Sequence, residues 1–254
     1  MQGMKNDYCQ YFVDTSSRPQ NFIRDIRKEE RFKDYPKLNE LLQMKDELLK
    51  KRNHPPMYIK CNIKELDFES LGKFDVILMD PPWEEYQTRI AGLPVYVQHE
   101  KLEGWSFEEI ANLKMDKLAN PCSFIFLWVG SEHLDQGRSM LKIWGYKRCE
   151  DIVWLKTNKN SSGHKIPVNK NKHFLQNVKE HCLVGVKGDV KRASDSHFIH
   201  ANIDTDVIVA EEPDLGSPEK PSEIYEIIER FCLGRKRIEL FGDNNGIRYS
   251  LFFS

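Results

Sequence analysis

At 254 residues, 40% hydrophobic and 30% charged, the chain is long enough for one large α/β domain with a full core. Its formal net charge of −1 selects no partner, and no apolar run approaches the ~20 residues that span a bilayer. Six cysteines (Cys9, Cys61, Cys122, Cys149, Cys182 and Cys232) form no Cys-x-x-Cys pair, which argues against a disulfide framework and against a metal site, and for buried, reduced thiols in a cytosolic or nuclear protein.

The start of the chain is polar and has no signal-peptide pattern. Residues 1–34, polar with interspersed aromatics, read as an N-terminal arm with little regular structure, and residues 35–254 as a single domain. Residues 35–52 predict a helix, with Leu38, Leu41, Leu42, Leu48 and Leu49 on one stripe and Pro55-Pro56 as its stop. Residues 57–61 and 74–79 read as strands. Residues 84–104 have no clear period, and Ser106 with Glu109 forms a capping box that opens a short helix. The run 122–129 is continuously apolar, which predicts a central parallel strand. A helix over 132–144 follows and stops at Gly145. Residues 149–155, 181–187, 206–210, 237–241 and 247–253 read as further strands, and 157–173 as a long basic loop. Pro221 opens a helix reaching to about residue 232, with Ile224, Ile227, Ile228 and Phe231 inward. Strands alternating with helices predict an α/β fold with a mostly parallel central sheet and helices on both faces.

One tetrapeptide carries chemistry. Asp80-Pro81-Pro82-Trp83 follows directly on the apolar strand 74–79. Ligands in open α/β sheets bind just past the carboxyl ends of strands. There, an Asp carboxylate and a proline carbonyl can accept the two N–H bonds of an adenine amine. The prolines stiffen the loop and add no competing donor, and the Trp ring offers a stacking face. Amine methylation needs little beyond an oriented nucleophile and stabilised charge. The same tetrapeptide also serves as an ordinary strand-to-loop corner.

Charge is unevenly placed. From Arg138 to Arg192 there are thirteen Lys/Arg against four Asp/Glu, a local balance of +9. A basic middle on an acidic chain suggests a face that meets phosphates, although a solvated lysine-rich loop has the same composition. No Gly-x-Gly-x-x-Gly follows the first strand, so a common dinucleotide site is disfavoured. If strand 237–241 lies beside strand 74–79, two carboxyl ends meet at a switch point, one for a cofactor and one for a target base. Lys220 would then meet a carboxylate; the other reading is a solvated lysine at a helix start.

Longer segments make the chain recognisable. They include Asn6-Asp7-Tyr8-Cys9-Gln10, Arg18-Pro19-Gln20-Asn21-Phe22-Ile23-Arg24-Asp25, Ser123-Phe124-Ile125-Phe126-Leu127-Trp128, Lys156-Thr157-Asn158-Lys159-Asn160, Lys179-Glu180-His181-Cys182-Leu183 and Glu219-Lys220-Pro221. Through these the chain resembles the adenosine-N6 messenger-RNA methyltransferase (MT-A70) family, in its methyltransferase-like 14 branch, over nearly its whole length. The resemblance implies a Rossmann-like methyltransferase fold and a nuclear heterodimer with a homologous catalytic subunit. It implies methylation of N6 of adenosine in messenger RNA with S-adenosylmethionine, this chain being the noncatalytic scaffold and RNA-binding subunit. It places RNA contacts at Arg138, Lys142, Lys147, Arg148, Lys191 and Arg192. It places the dimer contact at Ile23, Arg24, Ser131, Glu132, the 138–148 stretch, the stretch from Lys172 to His181, and the stretch from Asn202 to Asp206. The corner and the basic stretch are expected to open onto one cleft shared with the sister chain.

The resemblance is uneven around the pocket. The chain keeps Asp80 and Trp83 where animal members of the branch have Glu-Pro-Pro-Leu. The residues expected on the cofactor, Asn62, Ile63, Lys220 and Asn245, match the catalytic sister less well. Asn62 stands where the sister has Asp, and Asp243, Asn245 and Gly246 stand where it has Arg and His-Asn. An intact corner beside an eroded cofactor pocket implies a scaffold whose partner holds S-adenosylmethionine. The alternative is an active adenine-N6 methyltransferase on RNA or DNA, using Asp80-Pro81-Pro82-Trp83.

Overall fold

The computed structural model describes residues 7–17, 32–52, 55–83, 104–159, 177–189, 204–213, 217, 219–231 and 236–242. The first helix, α1 (Asp7–Thr15), falls where an irregular arm is expected. Tertiary contact overrides its polar composition. Asp7 accepts from the backbone N–H groups of Lys37 and Leu38, both at 3.0 Å, and so caps α2 (Pro36–Arg52). Tyr11 meets Tyr35 edge-on. On α2, Leu38, Leu41 and Leu42 are buried, as the stripe predicts. Residues 57–61 join no ladder, and Met57, Tyr58 and Ile59 are exposed. With no residue of 57–61 buried, β-propensity alone forms no strand there.

A short helix, α3 (Phe68–Leu71), is capped by Asp67 and leads into β1 (Phe74–Met79). The Ser106–Glu109 capping box opens α4 (Phe107–Ala111), and α5 (Met115–Leu118) precedes β2 (Ala119–Val129). The expected long helix begins as a 3-10 turn over Ser131–His133 and continues as α6 (Leu134–Ile143). Gly145 ends it with φ of 79°, a left-handed conformation that glycine adopts freely. Then come β3 (Lys147–Thr157), β4 (Lys179–Lys187), β5 (Val207–Glu211), α7 (Glu223–Phe231) and β6 (Arg237–Leu240). The predicted strand 247–253 and nearly all of the predicted loops 84–104 and 157–173 lie outside the described residues.

The sheet order is β5-β3-β4-β2-β1-β6. β1 is parallel to both β2 and β6, and β3 is parallel to β5. β4 runs antiparallel to both β2 and β3. The central strand β2 therefore has one parallel neighbour rather than two. The connection from β3 re-enters the sheet at the end it left, which makes β4 antiparallel.

Helices cover both faces, and strand alternation divides the core accordingly. Ile77, Met79, Ile125, Leu127 and Leu183 pack with Met140 and Leu141 of α6. Val76, Leu78, Phe126, Trp128 and Val184 pack with Ile224, Tyr225, Ile227 and Ile228 of α7. A strand buried on both faces must be apolar throughout, which is why the Val76-Ile77-Leu78-Met79 run is legible in sequence. Because β6 lies against β1, the carboxyl ends of the two strands do meet, at the point where the strand order turns back.

Candidate functional site

Asp80 leaves β1 at that switch point, its backbone N–H directed at the Leu240 carbonyl of β6. Its Oδ2 lies 2.9 Å from Lys220 Nζ, which also lies 3.4 Å from Glu180 Oε2. Glu180 Oε1 is 2.8 Å from Lys156, and Lys156 is 3.4 Å from Glu212. The side chains of Asp80, Lys220 and Glu180 are only 14%, 12% and 4% exposed. The reading of Lys220 as a solvated helix-start lysine is thus overturned; it meets carboxylates of its own chain. Burial raises the Asp80 carboxyl to about 6, against the opposing pull of Lys220. Its Oδ1 has no hydrogen-bond partner among the described residues.

Trp83 does not offer a stacking face. Its side chain is 3% exposed, its Nε1–H donates to the Trp128 carbonyl at 2.9 Å, and its ring stacks on His133. Backbone pairing with Trp105 fixes the chain on that side, and Trp105 itself packs edge-on against Phe241. A large ring with a partnered N–H and an apolar surround gains more from burial than from exposure. Pro81 and Pro82 hold the turn, where the Pro81 carbonyl accepts from Trp83 N–H and the Pro82 carbonyl from Trp105 N–H. Both carbonyls are therefore engaged within the chain.

The expected cofactor residues do not assemble. Asn62 is exposed and closes its own turn, accepting from Lys64 N–H and donating to Glu65. Ile63 packs on the edge of the core. Asn245 lies outside the described residues. With Lys220 held between two protein carboxylates, the described residues do not fit the carboxylate of S-adenosylmethionine without breaking that pairing.

One functional-type residue escapes the sequence reading. Glu239 sits inside β6, and Tyr225 donates to its carboxyl with Oη at 2.9 and 3.0 Å from the two oxygens. A Cβ on Gly242 would come within 3.2 Å of this carboxyl, so the glycine leaves room for it. The available signal is a lone acid alternating with buried residues in a four-residue strand. Burial raises Glu239 to about 7, with Tyr225 opposing and the Asp80 charge adding to the rise. A carboxyl raised in the folded state contributes stability that is whole below its ordinary range and is lost as pH rises through 7. Glu239→Gln therefore leaves stability unchanged below pH ~4.5 and adds up to about 3 kcal/mol above pH ~7. Urea unfolding across that range checks it; a constant difference at all pH values refutes it.

The basic residues lie elsewhere. Arg138 and Lys142 are exposed on α6, and Lys147 and Arg148 are exposed at the start of β3. Arg138 is paired at 3.0 Å with Asp135. Lys147 is in register with Val186, through it with Phe124 midway along β2, and so with Val76 of β1, whereas Asp80 follows the end of β1. Lys142, Lys147 and Arg148 thus lie toward the amino end of the parallel strands, away from the corner, whereas Arg138 follows Gly137, which packs on Val129 at the carboxyl end of β2, so the full set does not gather into the one cleft expected. The crossover topology dictates this, since a helix after a parallel strand carries the chain back to the amino end. Lys187, which the sequence reading passed over, joins the basic end, donating to the Trp144 carbonyl and lying over Tyr146. Lys191 and Arg192 lie outside the described residues.

Of the expected dimer contacts, Glu132 and Asp206 are exposed and Ser131 is half-buried. His181 is buried, its Nδ1 3.0 Å from Asp151, so it is not presented on the surface of this chain. Ile23, Arg24, Lys172 and Asn202 lie outside the described residues. The expectation of buried thiols is corrected as well. Cys182 is buried, but Cys61, Cys122 and Cys149 are exposed, Cys149 at a bulge that turns it out of the β3–β4 ladder.

Two parallel strands ending together at an acid-Pro-Pro-aromatic corner, between two helical layers, define an α/β methyltransferase-like domain. The chain belongs to the MT-A70 family, whose sequence profile matches residues 74–251. Members of this family generally use S-adenosylmethionine. The chain is 52% identical over 245 residues to the Drosophila melanogaster N(6)-adenosine-methyltransferase non-catalytic subunit METTL14, covering 96% of this chain and 61% of that one. It is 51% identical over 218 residues to the Arabidopsis thaliana non-catalytic subunit MTB, covering 84% of this chain and 27% of the relative. The human catalytic subunit METTL3 is more distant, 37% identical over 197 residues, covering 78% of this chain and 30% of the relative. The chain thus spans between 27% and 61% of the length of these relatives.

Proposed function

We propose that this chain is the noncatalytic scaffold and RNA-binding subunit of a nuclear, heterodimeric messenger-RNA N6-adenosine methyltransferase, its catalytic partner being a homologous subunit that holds S-adenosylmethionine. One observation carries the reading. Asp80 and Lys220, the acid and the cation a methyl-transfer site would turn toward its ligands, are paired with each other inside the protein. The burial of Trp83 and the names of the relatives support it. The register offset of Lys147 and Arg148 from the corner fits as well. RNA held at Arg148 and Lys142 serves a site on the partner better than this chain's own corner. Single-stranded or unpaired adenosine is the expected target, because the amine must leave the stack.

Calorimetry with S-adenosylmethionine on the isolated chain tests the reading. No binding is expected, and micromolar binding overturns it. Reversing the charge of Arg148 is expected to weaken RNA binding by the reconstituted heterodimer and to flatten its salt dependence. An unaltered salt slope places the RNA surface elsewhere. The second reading, an active adenine-N6 methyltransferase, draws on Asp80 Oδ1, which has no hydrogen-bond partner among the described residues. It requires that Asp80→Ala abolish methylation by a reconstituted dimer while assembly survives.

A further inference from the structure

The ion pairs at the switch point do not stop at the corner. They run as one chain across the sheet: Asp80 after β1, Lys220 before α7, Glu180 on β4, Lys156 on β3 and Glu212 just past the edge strand β5. Glu180 is the hinge of the set. One of its oxygens faces Lys156 at 2.8 Å and the other faces Lys220 at 3.4 Å. Each lysine is in turn shared with a second carboxylate, Glu212 at 3.4 Å and Asp80 at 2.9 Å. The floor beneath them is stiff. Lys156 lies 4.7 Å over the Trp154 ring, Lys220 lies 5.9 Å over the Trp128 ring, and the two rings meet edge-on. Trp154 is itself fastened to β5 through the Ala210 carbonyl.

The two ends of this chain differ in access. Asp80 and Glu180 are enclosed, whereas the Glu212 side chain is 30% exposed at the rim of the edge strand. We propose that the Lys156–Glu180–Lys220 set is an electrostatic relay that couples the exposed end of β5 to the Asp80 corner. Loss of the Glu212 charge removes its hold on Lys156. Lys156 then turns wholly to Glu180, and Lys220, released from sharing Glu180, closes on Asp80. Neutralising Glu212 at the edge strand thereby tightens the pairing that occupies the corner. The coupling is a property of the free chain and stands apart from the functional reading, since a failure of either leaves the other intact.

A double-mutant cycle at pH 8 tests the relay, with Asp80→Asn and Glu212→Gln, alone and together, each unfolded in urea. The two sites share no contact, so without a relay their effects add apart from any direct charge repulsion. The relay makes Asp80→Asn more damaging when Glu212 is already neutral, with non-additivity of about fivefold in the unfolding constant. Direct repulsion between the two carboxylates has the same sign, so the cycle is repeated with the link broken by Glu180→Gln. It is repeated independently with Lys156→Met, which also serves if the Glu180 variant does not fold. Loss of the non-additivity when the link is broken confirms the relay. Additivity in the natural background, or non-additivity that survives a broken link, overturns it.

Discussion

Trp83→Ala lowers the unfolding free energy by about 4 kcal/mol, the scale of deleting a buried indole from a packed core. The ring is 3% exposed, stacks on His133 and donates to the Trp128 carbonyl. Alanine leaves a cavity beside Trp105 and strips the Trp128 carbonyl of that donor. The loss is expected in the isolated chain, without RNA or partner, and chemical denaturation measures it. Trp83→Phe keeps most of the packing, loses only the N–H bond, and is expected to cost about 1 kcal/mol. If Trp83→Ala proves nearly neutral for stability yet abolishes RNA crosslinking, the ring is a base-stacking platform after all, and its buried placement here is not its working state.

Lys220→Met is the second large effect. Removing one partner of a buried ionic group leaves the others uncompensated, which costs about 3–5 kcal/mol. Here the stranded group is Asp80, 2.9 Å from Lys220 and little exposed, while Glu180 keeps Lys156 at 2.8 Å. The loss depends on pH, with a definite sign. Lys220 pulls the Asp80 carboxyl down against its burial, so without the lysine this carboxyl rises further above about 6. A carboxyl raised in the folded state loses stability as pH rises through its folded value. The variant is therefore weakest at pH 8 and recovers part of the loss toward pH 5, where Asp80 takes up a proton. Unfolding midpoints at the two pH values decide it, and an equal loss at both removes Asp80 from the account.

Much of this molecule is legible from local pattern. A strand buried on both faces has to be apolar at every position, so β1 and the core of β2 stand out as uninterrupted runs. Ser106 and Glu109 are three residues apart on one turn, so their reciprocal cap is set before any tertiary contact forms. The long segments quoted from Asn6 to Pro221 are specific enough to place the chain in its family. The adjacency of β1 and β6 entered the sequence reading only as a condition, and the sheet meets it.

What the sequence could not determine are the relations between residues that are distant along the chain. Tyr225 and Glu239 are 14 positions apart, and Lys156 and Glu212 are 56 apart. Lys220 reads equally as a ligand-binding cation or a solvated one until packing brings it to Asp80 and Glu180. Trp83 is an aromatic at a loop start until Trp105, Trp128 and His133 close around it. The basic run from Arg138 to Arg148 is a single stretch in sequence, but the return direction of α6 spreads it along the sheet, with Arg138 near Val129 at the carboxyl end of β2 and Lys147 and Arg148 at the amino end of β3. Local preference acts over one or two turns, whereas burial and charge pairing depend on which surfaces the fold brings together, and only the assembled sheet decides that.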